Sequence, residues 1–112
     1  MPRFVILEHD WPLLHWDLML EAGAVLRTWR LAEPLTADVE IAVTAIGNHR
    51  LHYLDYEGPV SGNRGSVVRR DSGTFDWQSD DGEVVAVRLA GARCRGLLEI
   101  QCEKGIARLF EP

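Results

Sequence analysis

These 112 residues predict an all-β domain, a small closed or partly closed β-barrel with short connecting turns. Three observations carry that expectation. Turn signals built on glycine, proline or aspartate interrupt the chain roughly every 8–12 residues. The segment LLHWDLMLE alternates strictly, with Leu14, Trp16, Leu18 and Leu20 on one parity and His15, Asp17, Met19 and Glu21 on the other. Helical periodicity is missing, apart from room for about one turn at Thr36 to Glu40.

The elements follow in order. RFVILEH is the first strand, DWP turns the chain, and LLHWDLMLE is the second. AGA turns again into VLRTWRL, which Pro34 ends. VEIAVTAI reads as a strand closed by GNH, and LHYLDY as the next, stopping at the glycine-rich loop EGPVSGNRG. SVVRR, GTFDWQ, VVAVRLAG, RGLLEIQ and IARLFE complete the series, separated by DSG, DDG, GAR and EKG. No repeat, low-complexity tract or linker divides the chain, so residues 1–112 are expected to form one domain.

Composition narrows the function. No run of about 18 apolar residues is present, and the apolar start is broken at once by Glu8 and His9, so neither a membrane helix nor a signal peptide is expected. The expected location is the cytoplasm. Cys94 and Cys102 have no CxxC spacing and read as reduced core or half-buried thiols. A net charge of −5 argues against a long nucleic-acid footprint, whose affinity comes from neutralised phosphates, but leaves room for recognition of a strand end by a local cationic pocket. The four tryptophans are expected to pack rather than stack on bases.

Chemistry concentrates in two stretches. In HDWPLLHWD, His15 and Asp17 lie two apart on a strand and share a face, and His9 across the turn can supply a third ligand. Two histidines and a carboxylate leave coordination positions open, as a catalytic metal requires. The same residues also fit the solvated rim of an amphipathic strand. In NHRLHYLDYEG, an extended backbone puts His49, Leu51, Tyr53 and Asp55 on one parity, so that His49 and Tyr53 flank one site while His52 points away. The loop GPVSGNRGS can offer backbone amides and Arg64 to an anion, or be an ordinary hairpin loop. Histidine-x-aspartate with a distant histidine also fits a non-haem iron oxygenase, and a plain interaction domain needs none of this chemistry.

The ordered set of motifs is more specific than any one of them. It runs His9-Asp10, Leu14-His15-Trp16-Asp17, Leu20-Glu21 and GAVLRTW ending at Trp29, then His49, Leu51, Tyr53, Tyr56, Glu57 and Gly58, then Gly73 to Phe75. Over nearly the whole chain this series resembles the 3′-phosphoesterase domain of bacterial DNA ligase D, a family that also occurs as stand-alone proteins. The resemblance implies a phosphoesterase-like β-barrel over 1–112 with a metal site on a concave face. It implies divalent-metal-dependent, manganese-type removal of 3′-phosphates and 3′-terminal ribonucleotides, with zinc or another ion as alternatives to manganese. It implies that His9, His15 and Asp17 hold the metal and that His49 and Tyr53 contact the scissile phosphate. The implied partners are nucleic-acid 3′ ends and DNA end-joining proteins, with no membrane, and a monomer is expected. The family has an arginine where this chain has Met19, and a lysine where it has Ala32 and Glu33. Arg64, Arg50 and Arg27 are the candidates to supply the absent cationic contacts. A metal- or end-binding module of the same fold, with weak or lost catalysis, is the alternative.

Overall fold

A computed structural model describes residues 1–111. Nine strands follow one another: β1 (Arg3–His9), β2 (His15–Ala22), β3 (Val25–Leu31), β4 (Ile41–Arg50), β5 (Gly58–Pro59), β6 (Ser66–Asp80), β7 (Val84–Gly91), β8 (Arg95–Gln101) and β9 (Ile106–Phe110). A single 3₁₀ turn, Leu51–Leu54, lies between β4 and β5. The sheet runs β1-β2-β3-β4-β9-β8-β7-β6-β5, and β1 also pairs with β6, which closes it into a ring. Closure is uneven. β1 and β6 pair along the whole of β1, whereas β4 and β9 meet only at Ile41–Ala107 and Ala42–Ile106, so the barrel is partly closed.

The ring has apolar residues on both faces of its first strands. The interior holds Phe4, Ile6, Leu18, Leu20, Leu98 and Ile100 with their neighbours. Full burial of such side chains makes each Leu or Ile truncation to alanine cost about 2–5 kcal/mol. The opposite parity of β1 and β2 is covered as well. Val5, Leu7 and Met19 form a second cluster with Leu26, Leu54 and Val67, roofed by the segment from the 3₁₀ turn to the start of β6. This second cluster explains why β1 is apolar on both faces and why Met19 interrupts the polar parity of β2, and it leaves a pocket between sheet and roof.

Several strands match their expected limits, among them β1, β3, β7 and β8. Four expectations do not hold. DSG is no turn: SVVRR and GTFDWQ are one fifteen-residue strand. Gly73 lies at its middle, where an added Cβ would collide with the backbone of Ala90 and Gly91, so the glycine serves close strand packing. GNH does not turn either, because β4 continues through it to Arg50. LHYLDY is not a strand; Leu51 and Leu54 are three apart, the 3₁₀ repeat, and both pack onto the second cluster. Thr36 to Glu40 forms no helix but an isolated bridge, Ala37 to Leu109. Cys94 is buried and free as expected, while Cys102 is exposed. Among the described residues no helix is long and apolar enough to cross a membrane.

Candidate metal centre

Two hairpins build the site. In β1–β2, His9 stands opposite His15 and Leu7 opposite Asp17, so all four share the roofed face. In β2–β3 the two-residue turn Gly23–Ala24 sets the register, and counting outwards from it places Arg30 opposite Asp17 and Thr28 opposite Met19. On β4 a bulge between Ile46 and His49, opposite Leu26 to Thr28 of β3, shifts the pairing by a residue and makes His49 the partner of Leu26. The shift turns His49 onto the roofed face, a common use of a bulge beside a site.

His9, His15 and Asp17 each bring one ligand atom to a group whose members all lie within 4.8 Å of one another. His15 is 6% exposed and Asp17 3%. His15 Nδ1 lies 2.8 Å from the Leu13 carbonyl and donates to it in the neutral ring, which leaves Nε2 with a free lone pair. His9 Nε2 similarly donates to the Arg64 carbonyl at 2.8 Å, leaving Nδ1. Such backbone anchoring of the second ring nitrogen fixes the tautomer of metal-bound histidines. Nε2 of His15 is 3.4 Å from Asp17 Oδ2 but is not aligned for a hydrogen bond.

Among the described residues, three buried side-chain polar atoms have no hydrogen-bond partner: His15 Nε2, Asp17 Oδ1 and Arg30 Nε. Buried polar atoms are nearly always paired, and unpaired ones cost about 1–3 kcal/mol each. That all three occur on one patch of the β2–β3 hairpin marks the patch as built for something bound. Two neutral imidazoles and a carboxylate are the donor set of a divalent cation such as manganese, zinc or iron, so the residues present fit a metal.

The pocket beside the triad has a volume of about 230 Å³, and His49, Tyr53, Arg30 and Arg64 reach it with His9 and Asp17. His49 and Tyr53 meet edge to face at 5.7 Å between ring centres. They come together through the end of β4 and the 3₁₀ turn, not through one extended strand. His49 Nδ1 donates to the Gly47 carbonyl at 2.9 Å, which again leaves Nε2 free. His52 stacks on Tyr53 outside the pocket. Met19 lines the pocket floor and belongs to the second cluster.

The candidate cations differ in place. Arg64 lines the pocket, but its guanidinium is engaged by the Ser61 carbonyl at 2.7 Å and the Ser61 hydroxyl at 3.2 Å. Arg50 is exposed and is not among the lining residues. Arg27 is held by Asp80 at 2.7 Å between the rings of Trp29 and Trp77. Two lining residues escaped the reading of the sequence. Arg30 was open to it, since counting from the Gly23–Ala24 turn pairs it with Asp17. Trp11, expected to pack in the core, is 43% exposed at the lip of the pocket; its place beside Pro12 in a turn was the signal.

Comparison with known proteins agrees with this geometry. Residues 7–101 match the family model described as the DNA ligase D 3′-phosphoesterase domain. The chain is 36% identical over 103 residues to the multifunctional non-homologous end joining DNA repair protein LigD of Mycobacterium tuberculosis, and equally so to LigD of Mycobacterium bovis. Those matches cover 83% of this chain but 13% of each relative. LigD of Pseudomonas aeruginosa is 28% identical over 86 residues, 72% of this chain and 10% of that protein. The chain therefore spans a small fraction of the length of these curated relatives. With its barrel and its histidine–histidine–aspartate cluster, the chain belongs to the DNA ligase D 3′-phosphoesterase domain family.

Proposed function

We propose that this domain is a divalent-metal-dependent phosphoesterase acting on nucleic-acid 3′ ends, removing a 3′-phosphate or a 3′-terminal ribonucleotide, with manganese as its ion. The observation that carries the reading is the convergence of His9, His15 and Asp17, with His15 Nε2 and Asp17 Oδ1 buried and unpaired, beside a pocket that His9 and Asp17 line together with His49 and Tyr53. A divalent ion held by the three ligands supplies Lewis-acid stabilisation to charge on a phosphoryl oxygen.

The protein's own groups do the rest. The carbonyls of Leu13 and Arg64 hold the two ligand rings in orientation. His49, pinned at Nδ1, presents a free Nε2 that can take a proton from an attacking water and, once protonated, pass it to the leaving oxygen. The Tyr53 hydroxyl is the second donor on that wall. Val60 and Val67 line the roof side and limit water. The exposed ring of Trp11 offers a flat surface for the terminal base, which lets an acidic domain hold a strand end without a long basic footprint. DNA 3′ ends and end-joining proteins are the partners this reading calls for.

A second reading is a metal- or end-binding module with weak or lost catalysis. The apolar Met19 on the pocket floor, where a charged donor would face the substrate, favours it. Single-turnover release of phosphate from a 3′-phosphate DNA primer at saturating manganese separates the two. The phosphoesterase reading expects turnover that His15→Ala abolishes and that His49→Ala slows by about 10²–10⁴. Tight binding of manganese and primer with no phosphate released would leave only the binding module.

A further inference from the structure

Of the three unpaired buried atoms, a metal accounts for two. The third, Arg30 Nε, belongs to a group that stays protonated and cannot ligate a cation. Its nearest anion is Asp17 Oδ1 at 3.8 Å, too far for a hydrogen bond. The side chain is 43% exposed, and it lines the pocket. One carboxylate thus faces both a guanidinium and the place of a divalent ion. With neutral histidines, the ion and Arg30 together then outweigh Asp17 by about two charges. A site with that surplus is completed by an anion of the same size, which is the charge of a phosphate monoester.

We propose that Arg30 is the residue that grips the phosphoryl oxygens of the substrate. The proposal rests on the phosphoesterase reading for the identity of the anion and on the structure for the identity of the residue. Arg64 commits its guanidinium to Ser61, Arg27 to Asp80 and two tryptophans, and Arg50 does not line the pocket. Among the described residues Arg30 alone combines a place in the pocket with a guanidinium that has no aligned hydrogen-bond partner. It lies opposite Asp17 on the neighbouring strand, so the phosphoryl group would be held between Arg30 on the sheet and His49 and Tyr53 across the pocket. A planar guanidinium suits two oxygens of one phosphate better than a lysine ammonium does.

The test uses the full chain loaded with manganese and titrated with inorganic phosphate by calorimetry, for the wild type, Arg30→Gln and Arg30→Lys. Manganese affinity is measured separately for each. Arg30→Gln is expected to weaken phosphate binding by about tenfold to a hundredfold, which is about 1.4–2.8 kcal/mol. Arg30→Lys should recover part of that loss. Manganese should bind Arg30→Gln as tightly as the wild type or tighter, because a nearby positive charge has been removed. Three results would each overturn the proposal: a wild type that does not bind phosphate, an Arg30→Gln variant with unchanged phosphate affinity, and a fall in phosphate affinity that only follows a fall in manganese affinity. The last would mean that Arg30 merely holds Asp17 in place. Phosphate binding that depends on Arg30 in a protein with no turnover on 3′-phosphate ends would support Arg30 as the anion grip while ending the phosphoesterase reading.

Discussion

Asp17 and Asp71 are both buried aspartates, 3% and 5% exposed, on opposite faces of the same sheet. Asp17 stands beside Leu7 on the roofed face, and Asp71 beside Ile6 on the barrel face. Their surroundings could hardly differ more. Asp71 Oδ1 accepts the amides of Ser72 at 2.9 Å and Arg93 at 3.0 Å, and Oδ2 accepts that of Cys94 at 2.7 Å. Among the described residues Asp17 accepts no backbone amide, and its Oδ1 has no hydrogen-bond partner, only Arg30 Nε at 3.8 Å. A carboxylate that ties three amides of the β7–β8 turn and its own strand is part of the fold. One left open beside two histidines and an arginine is stable only because the surrounding sheet over-determines it, and strain of that kind belongs to a site. Burial alone therefore says little about what an acid does; the count of its partners says more.

The largest effect that can break this comparison comes from removing one charge at a time. Asp71→Asn turns an amide NH₂ towards backbone N–H donors and should cost about 2–4 kcal/mol, lowering the melting temperature by at least about 8 °C, with manganese binding kept by the molecules that remain folded. Asp17→Asn should leave the metal-free melting temperature unchanged or higher. It should also abolish the manganese-induced rise, which in the wild type reaches about 2.7 kcal/mol at a hundredfold excess over Kd. Thermal melts of both variants, with and without manganese, check this. A loss of several kcal/mol in metal-free Asp17→Asn would make both aspartates structural and remove the basis of the metal site.

A medium effect tests how much the roof contributes beside the rigid hairpins. Gly65 has φ near +72°, and an added Cβ would collide with Asp10 Oδ1 and Trp11 Cβ. Asp10 Oδ1 in turn accepts the Ser66 amide at 2.8 Å, and the preceding residue, Arg64, offers its carbonyl to His9. The loop is therefore closed onto the β1–β2 turn and orients one ligand ring. Gly65→Ala should push the loop away and release the His9 ring. The expected result is a loss of about 10–100-fold in manganese affinity, the usual cost of a missing ligand support. The barrel interior, which the loop does not touch, should keep its hydrogen-exchange protection. Unchanged metal affinity in this variant would show that β1 and β2 alone hold the site.

The difference between hairpins and roof also explains what could be read from the sequence. His9, His15 and Asp17 were legible because they lie on two strands joined by one short turn, and alternation fixes their face. Arg30 was equally legible by counting from Gly23–Ala24. His49 was legible as a residue and not as a position, since its face depends on a bulge opposite β3 that no local pattern announces. The roof was misread as a strand because Leu51 and Leu54 answer to a second cluster that exists only after folding. DSG and GNH look like turns locally, but Gly73 and Gly47 sit within long strands whose course is set by distant partners. The closures of β1 with β6 and β4 with β9 are pairings between distant parts of the chain and lie outside the reach of periodicity.

The smallest effect sharpens the comparison from the Asp71 side. Burial, with the Asp71 carboxylate adding to it, pushes the Cys94 thiol up to about 12, while Cys102 is exposed. The thiolate is the reactive form, so iodoacetamide at pH 8.5 should modify Cys102 and spare Cys94. Asp17→Asn should leave that pattern untouched, whereas Asp71→Asn, which frees the Cys94 amide and loosens the β7–β8 turn, should open Cys94 to labelling. The same shift has a sign in stability. The folded thiol titrates above the unfolded one, so the unfolded chain loses its proton first, and stability falls as pH rises beyond about 9. By pH 10 the effect should be about 1.4–2 kcal/mol in the wild type and absent in Cys94→Ala. Peptide mapping after brief alkylation gives the rates at each cysteine. Equal labelling of Cys94 and Cys102 in the wild type would mean that the amide knot around Asp71 opens readily, and that its three hydrogen bonds hold the fold far less firmly than their geometry implies.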